Sequence, residues 1–330
     1  MPPSPVLSID PSRELLAGAF TAARAGRVRV ALADLDRVRA GSTDALSELD
    51  RAALLTTSID CRLARGELAE ALSLGEQLGR HLDAAGLVGA TAHYGRGELS
   101  AASGEDDLAA AHFSRISRLV HGPDDDPDLL PWRAAAALSA VRCGHRAEGT
   151  VLAREHLALA RSAGTAYSIA IGLRALATVD PHADRSALLR EAHDVLDGVR
   201  AARLAAQIET DLAGLLLLGA DPASADEALA LLRHAEQYAS AEDLWPLQGR
   251  IRRLLARIGQ SARPMQGEAL AVLTAAEQKV ARLAAGGLTN RQVAGELAVS
   301  VKAVEWHLSH VYRKLGIASR AGLAATLGLA

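Results

Sequence analysis

Glycine recurs along the chain at an almost constant interval, and this interval constrains the fold more than any other feature. Gly26, Gly66, Gly104 and Gly144 lie 40, 38 and 40 residues apart, and Gly219 follows 75 residues later, close to two further periods. A period of this length is typical of solenoids in which each repeat is a pair of helices that cannot bury its apolar face alone. The first 260 residues are therefore predicted to form a stacked helical array.

Small residues reinforce this prediction. Alanine stands five residues after each of the first three glycines, at Ala31, Ala71 and Ala109, and Gly149 takes this place in the fourth unit. A small side chain there lets two paired helices approach closely. The fifth unit has Asp180 and Pro181 at its expected turn. Segments such as GELAEALSLGEQL resemble the tetratricopeptide pattern, and no segment has the composition of a strand, so an all-α chain with a tetratricopeptide-like array is predicted.

The last sixty residues have a different organisation, with three short helices marked by start and stop signals. Two capping boxes and one N-cap are predicted, at Thr274 with Glu277, at Thr289 with Gln292, and at Ser300. Gly316 supplies the left-handed stop of the third helix, which is expected to run from about Val301 to Leu315. This order of short helices is that of a helix-turn-helix reader of DNA.

The third of these helices has two faces when its residues are placed at about 100° intervals. One face is apolar and is predicted to be buried: Val304, Leu308, Val311 and Leu315. The opposite face is polar with one large ring: Lys302, Glu305, Trp306, Ser309 and Arg313. An α-helix fits the major groove, where cationic side chains meet guanine acceptors or phosphates and glutamate accepts from the cytosine amino group.

These residues carry a family resemblance. The segment from Leu273 to about Leu327 resembles the LuxR-type (GerE-like) DNA-binding domain through AAGGLTNRQVAGEL, the S-x-K-x-V-x-x-H run, and RKLG followed by SR. The resemblance implies that Glu305, Trp306 and Ser309 face base edges. It implies phosphate-contacting or positioning roles for Lys302, Arg313, Lys314 and Arg320.

Three residues depart from the family pattern. Ala303 replaces a usual threonine, Ala318 replaces a frequent arginine, and Glu305 stands where many members have lysine. We therefore expect DNA binding that is weaker or more dependent on dimerisation. In this family the terminal helix, here about residues 320–329, commonly pairs two readers; Leu323 and Leu327 could lie at such an interface or pack internally.

Charge is distributed unevenly along the chain. Residues 270–330 hold seven cationic side chains and three glutamates, a balance of +4, whereas residues 1–269 hold 29 cationic and 36 anionic side chains, a balance of −7. A basic segment attracts a polyanion such as DNA. The acidic residues 1–269 are expected to be repelled by the DNA duplex. Residues 121–131, HGPDDDPDLLP, are predicted to form a solvated loop.

Composition favours a cytoplasmic protein. No apolar run approaches the length of a membrane span, the start MPPSPVLSID lacks a secretory pattern, and two cysteines are too few for a disulfide framework. The predicted domains are a repeat domain over 1–258, a linker over 259–269 and a reader over 270–330. His307 is predicted to pack at the core edge, and no metal or cofactor site is predicted.

The array and reader together resemble the C-terminal part of the large MalT-like regulators, through LAREHLALARSAG and LLREAHDVLDGV. Those regulators also have a nucleotide-binding domain, whereas this sequence has no G-x-x-x-x-G-K-[ST] motif. We therefore predict a regulator, not an enzyme, that binds double-stranded DNA as a homodimer and contacts RNA polymerase. A small-molecule or protein effector would act on the repeats. The alternative is a protein-interaction scaffold whose reader no longer binds DNA usefully.

Overall fold

A computed structural model describes residues 11–41, 43, 46–219, 222–260, 273–297, 299–317, 319–320 and 322–323. The helices are α1 (Pro11–Arg24), α2 (Val28–Ala40), α3 (Glu48–Arg65), α4 (Leu68–Leu78), α5 (Gly86–Ser103), α6 (Asp106–Ile116), α7 (Trp132–Arg142), α8 (Arg146–Ala163), α9 (Ala166–Val179), α10 (Arg185–Asp194), α11 (Ala202–Leu216), α12 (Pro222–Ala241), α13 (Trp245–Arg257), α14 (Ala275–Ala285), α15 (Asn290–Leu297) and α16 (Val301–Leu315). No strand occurs in these residues. The predicted all-α class is confirmed.

The chain divides into two compact units. The first contains Met1–Leu63 and Leu68–Leu215, and the second contains Ala64–Glu67 and Leu216–Ala330. The second unit therefore holds the hairpin of α12 and α13 together with α14, α15 and α16. The domain boundaries at residues 258 and 270 stay predictions, and residues 261–269 of the predicted linker lie outside the described residues.

The recurring glycines form the turns inside successive helix pairs. Gly26, Gly66, Gly104 and Gly144 have φ angles of 84°, 78°, 81° and 87°. This left-handed conformation costs glycine little and most other residues more. Asp180 and Pro181 form the turn between α9 and α10, as expected for the fifth unit. The predicted period is thus the helix-turn-helix repeat, although Gly219 follows α11 without a left-handed φ angle.

Apolar clusters connect the successive helix pairs between α3 and α9. One cluster joins α3, α4 and α5, a second joins α5, α6 and α7, and a third joins α7, α8 and α9. The predicted small positions are fully buried: Ala31, Ala71 and Ala109, of which the last two belong to these clusters. A continuous core of this kind gives the array its stability.

The predicted solvated loop at residues 121–131 is irregular apart from a short 3-10 turn over Gly122–Asp124. It is more tightly held than expected, because Asp125 accepts hydrogen bonds from Trp132 Nε1 at 3.0 Å and Arg133 Nη1 at 2.7 Å. Burial alone would raise the pKa of Asp125, but these hydrogen bonds outweigh it and lower the pKa. The loop therefore anchors the start of α7.

Gly97 is expected to be intolerant of substitution because α5 and α6 approach closely there. A Cβ atom at Gly97 would lie 2.5 Å from Cε1 of Phe113, whose side chain is fully buried. We expect Gly97→Ala to lower the free energy of unfolding by about 1–3 kcal/mol through overpacking. Gly18→Ala is the matched control, since a Cβ there meets nothing within 4 Å. It should raise stability by about 0.5–1 kcal/mol in urea titrations.

Candidate nucleic-acid interface

The first helix of the reader begins at a complete capping box. The backbone N–H of Thr274 donates to Glu277 Oε2 at 2.7 Å, and the N–H of Glu277 donates to Thr274 Oγ1 at 3.3 Å. Each side chain thus accepts from an N–H group that the helix leaves without a partner. The predicted start of α14 is confirmed.

The second helix begins in the same way. The N–H of Thr289 donates to Gln292 Oε1 at 2.8 Å, and the N–H of Gln292 donates to Thr289 Oγ1 at 3.3 Å. Gly287, with a φ angle of 90°, turns the chain before this box. The predicted start of α15 is therefore also confirmed.

The third helix has the predicted ends. Ser300 Oγ accepts from the N–H of Ala303 at 3.1 Å, and Gly316 closes α16 with a φ angle of 63°. The predicted apolar stripe is buried, and it packs against residues of α14 and α15: Val304, Leu308, Val311 and Leu315 against Val280, Ala281, Ala284, Val293 and Ala294. Burial of this stripe determines which side of α16 faces outward.

The outward side of α16 carries the predicted contact residues. Lys302, Glu305, Trp306, Ser309 and Arg313 are all exposed. Trp306 is 57% exposed, although its side chain is a large apolar group. Its centroid lies 4.0 Å from that of His310 and 4.9 Å from that of His307. The two imidazoles therefore support the indole in an outward position.

Hydrogen bonds within α16 orient two further side chains of this face. Ser309 Oγ donates to the carbonyl of Glu305 at 2.9 Å, so its oxygen lone pairs can accept from an incoming donor. His310 Nδ1 lies 2.8 Å from the carbonyl of Trp306, which restrains the imidazole beneath the indole. The exposed face is thus partly preorganised.

Lys314 and Arg320 have protein partners. Lys314 Nζ donates to Glu277 Oε2 at 2.9 Å, and Arg320 Nη1 donates to Asn290 Oδ1 at 2.9 Å. The first contact joins the end of α16 to the start of α14, and the second joins the segment after α16 to the start of α15. These contacts are consistent with positioning roles for Lys314 and Arg320. The family resemblance implied either positioning or phosphate contact for both residues.

The Glu277–Lys314 pair is largely removed from water. The Glu277 side chain is 5% exposed and that of Lys314 is 18% exposed. Burial alone would raise the pKa of Glu277, but hydrogen bonds from Lys314 and Thr274 outweigh it and lower the pKa. This carboxylate is thus both a helix cap and an ion-pair partner. The sequence pattern predicts the role of Glu277 as a helix cap. It does not predict the ion pair with Lys314, because the two residues are 37 positions apart.

The remaining predictions for the reader have mixed outcomes. His307 is half-buried at the edge of the core, as predicted, and its Nδ1 atom is buried without a hydrogen-bond partner. Leu323 is fully buried in the reader core, so internal packing is the correct alternative for this residue. Ala318, Leu327 and most of the predicted terminal helix lie outside the described residues. Within those residues, no group of three or more His, Cys, Asp or Glu side chains is placed to hold a metal ion.

Several cationic side chains of the reader are exposed and have no ion-pair partner in the described part of the chain: Lys279, Arg282, Arg291, Lys302 and Arg313. Unpaired exposed cations are the groups that exchange counterions for DNA phosphates. The positive balance that the sequence gives this segment is therefore available at its surface.

The three helices, their caps and the exposed polar face of α16 define a helix-turn-helix domain. Residues 271–327 match the family described as bacterial regulatory proteins, luxR family (GerE). This domain is therefore a LuxR-family helix-turn-helix domain, and the predicted resemblance is confirmed.

Curated relatives match a short part of the chain. A protein from Mycobacterium bovis (strain ATCC BAA-935 / AF2122/97), named as an HTH-type transcriptional regulator, is 46% identical over 65 residues. One of the same description from Mycobacterium tuberculosis (strain ATCC 25618 / H37Rv) is 45% identical over 65 residues. Each match covers 20% of this chain and 7% of the mycobacterial protein. The matched length of 65 residues is close to that of the helix-turn-helix domain, residues 271–327.

One solved structure is similar to the chain at a low score. The crystal structure of a tetratricopeptide repeat protein from Parabacteroides merdae ATCC 43184 covers 91% of this chain and 98% of its own, at 13% identity and a TM-score of 0.35. This TM-score is too low to support an argument about the fold. The description of the first unit as a helical-repeat array is therefore based on the helix pairs of this chain alone. No helix in the described residues is long and apolar enough to span a membrane.

The lowered pKa of Glu277 predicts that the stability of the fold depends on pH. Folding lowers the pKa of Glu277. The ionised carboxylate therefore contributes its full stabilisation at pH values above the pKa of the unfolded chain. This stabilisation is lost as the pH falls through the lower pKa of the folded state. We expect Glu277→Gln to cost ~1–3 kcal/mol at pH 7, where Lys314 loses its counter-charge. The difference from the wild type should shrink below pH 4.5, the ordinary value.

Urea unfolding of the full chain at several pH values measures this difference. Glu296→Gln is the control, since this glutamate is exposed on α15 and has no ion-pair partner in the described residues. Its effect should stay within about 0.5 kcal/mol. An equal cost of Glu277→Gln at pH 7 and pH 3.5 would contradict the proposed charge interaction.

Proposed function

We propose that this protein is a DNA-binding transcriptional regulator that reads the major groove with α16. The observation that supports this proposal most strongly is the outward face of α16, which exposes Lys302 and Arg313 together with a supported Trp306. Tryptophan is enriched at interfaces, so an exposed and supported Trp306 is well suited to contact with a partner. Mycobacterial relatives named as HTH-type transcriptional regulators match 65 residues of the chain.

The contact residues fall into two groups in this proposal. Glu305, Trp306 and Ser309 face base edges: the carboxylate accepts from cytosine N4, the serine oxygen accepts from an amino group, and the indole packs against thymine methyl groups. Lys302 and Arg313 hold phosphates on either side. Lys314 and Arg320 act as positioning residues, because both are engaged by the reader itself.

The first unit supplies control in this proposal. An array of helix pairs offers a long surface for a small-molecule or protein effector. Two chains binding as a homodimer would read two-fold half-sites, and contact with RNA polymerase would convert binding into regulation. Such a regulator works in the cytoplasm, where bacterial DNA lies.

A second candidate is a protein-interaction scaffold with a reader that has lost useful DNA affinity. Glu305 favours it, because its exposed carboxylate stands among the cations that would approach the phosphates. Ala303 also lacks the hydroxyl of the usual threonine. In this case the exposed face of α16 would tolerate substitution, whereas damage to the array would abolish function.

Selection from a random duplex library near physiological salt tests the choice between these candidates. The full-length wild type should enrich a two-fold motif, and Trp306→Ala should change the motif or abolish it. Arg313→Ala should weaken binding to all sequences and reduce the slope of log affinity against log salt by about one.

Arg118→Ala is the control for Arg313→Ala. Arg118 is an exposed arginine of the first unit without an ion-pair partner in the described residues, so the net charge changes equally. It should enrich the wild-type motif with unchanged affinity. Absence of any enrichment by the wild type, with the fold intact by circular dichroism, would favour the scaffold.

A further inference from the structure

The hairpin beside the reader carries an unexpectedly basic edge. Helix α13, WPLQGRIRRLLAR, contains four arginines and no acidic residue. Arg250, Arg253 and Arg257 are spaced as i, i+3 and i+7, which places them on one face. Arg253 and Arg257 are exposed and have no carboxylate partner in the described residues. This part of the acidic remainder therefore has a local positive charge.

This helix contacts the last turn of α16 within the second unit. A Cβ atom at Gly249 would lie 3.0 Å from Gly316 Cα, and a Cβ atom at Gly316 would lie 2.5 Å from Gly249 Cα. The two backbones can approach so closely only because neither residue has a side chain. Gly316, which ends α16, is thus also the residue against which α13 packs.

The contact brings two arginines into one cleft, and neither has an ion-pair partner in the described residues. Arg253 and Arg313 both line a cleft of about 360 Å³ between α13 and the end of α16, with Trp245, Pro246, Tyr312, Gly316 and Ile317. Arg253 Nη1 lies 3.6 Å from the position of a Cβ atom at Gly316. Among the residues that the structure describes, no carboxylate lines this cleft, so a phosphate placed there could accept hydrogen bonds from both guanidinium groups.

The position of α13 leaves the reading face open. The cleft involves only the last turn of α16 and the residue after Gly316. Lys302, Glu305, Trp306 and Ser309, nearer the start of α16, remain exposed. A helix that masked a basic reader would also need acidic side chains, whereas the exposed edge of α13 has arginines. The contact therefore extends a DNA-binding surface rather than covering it.

We propose that Arg253 and Arg257 of α13 form a second phosphate-binding strip that continues the DNA interface beyond Arg313. This inference rests on the proposed function. Arg313 is the phosphate contact at the end of α16, Arg253 shares its cleft, and Arg257 follows one helical turn later, ~6 Å further along the axis. The strip is sequence-independent, and it offsets the weaker binding expected from Ala303 and Glu305.

The test is the salt dependence of binding by the full-length protein to a duplex of random sequence, between about 50 and 200 mM salt. The double variant Arg253→Gln/Arg257→Gln should bind more weakly. Its slope of log affinity against log salt should fall by about two, close to 0.9 for each phosphate that the variant no longer neutralises. Arg257→Gln alone, at a position outside the cleft, should lower the slope by about one.

Two controls make the result specific. Arg253→Lys/Arg257→Lys keeps both charges and should retain most of the slope. Arg115→Gln/Arg118→Gln removes the same charge from exposed positions of the first unit and should leave the slope unchanged.

The outcomes separate this inference from the proposed function. If the wild type binds and the α13 double variant keeps its full slope, or binds more tightly, the strip is refuted while the regulator proposal stands. An equal decrease in the Arg115/Arg118 double variant would also refute it, since overall charge would then explain the effect. No binding by the wild type would refute the proposed function itself.

Discussion

Burial of one side of α16 is the interaction on which the rest of the reader depends. Val304, Leu308, Val311 and Leu315 pack against α14 and α15, and this packing turns Lys302, Trp306 and Arg313 toward solvent as one set. Helix caps at Thr274, Thr289 and Ser300 determine where the supporting helices begin. The Glu277–Lys314 pair then holds the end of α16 against the start of α14. One apolar stripe, three caps and one ion pair thus position the candidate interface.

Local features of this fold were predictable from the sequence, because local backbone chemistry causes them. The glycine period indicated the left-handed turns at Gly26, Gly66, Gly104 and Gly144, and the capping residues indicated the ends of α16 to the residue. Long-range contacts were not predictable in this way. The partner of Lys314 is 37 residues away, and Gly249 meets Gly316 across an interval with no periodic pattern. Sequence periodicity identifies which face of a helix is apolar but not which helix covers it.

The average charge of residues 1–269 does not describe α13. The balance of −7 over residues 1–269 suggested that everything outside the reader would avoid DNA. Yet α13 has no acidic residue and presents Arg253 beside Arg313. Electrostatic attraction to a polyanion depends on charges within about a Debye length, roughly 8–10 Å, so a local basic edge matters more than the sum over a distant array. The proposed interface is therefore wider than the family domain.

Acrylamide quenching of tryptophan fluorescence, with and without duplex DNA, tests the central claim most directly. The chain has three tryptophans; Trp132 and Trp245 are 5% and 4% exposed, whereas Trp306 is 57% exposed. The accessible fluorescence therefore belongs to Trp306, and Trp306→Phe should remove it. If α16 enters the major groove, saturating DNA will protect this component from acrylamide. Saturation with DNA that leaves it fully accessible would contradict the account, because the protein would then bind DNA through another surface.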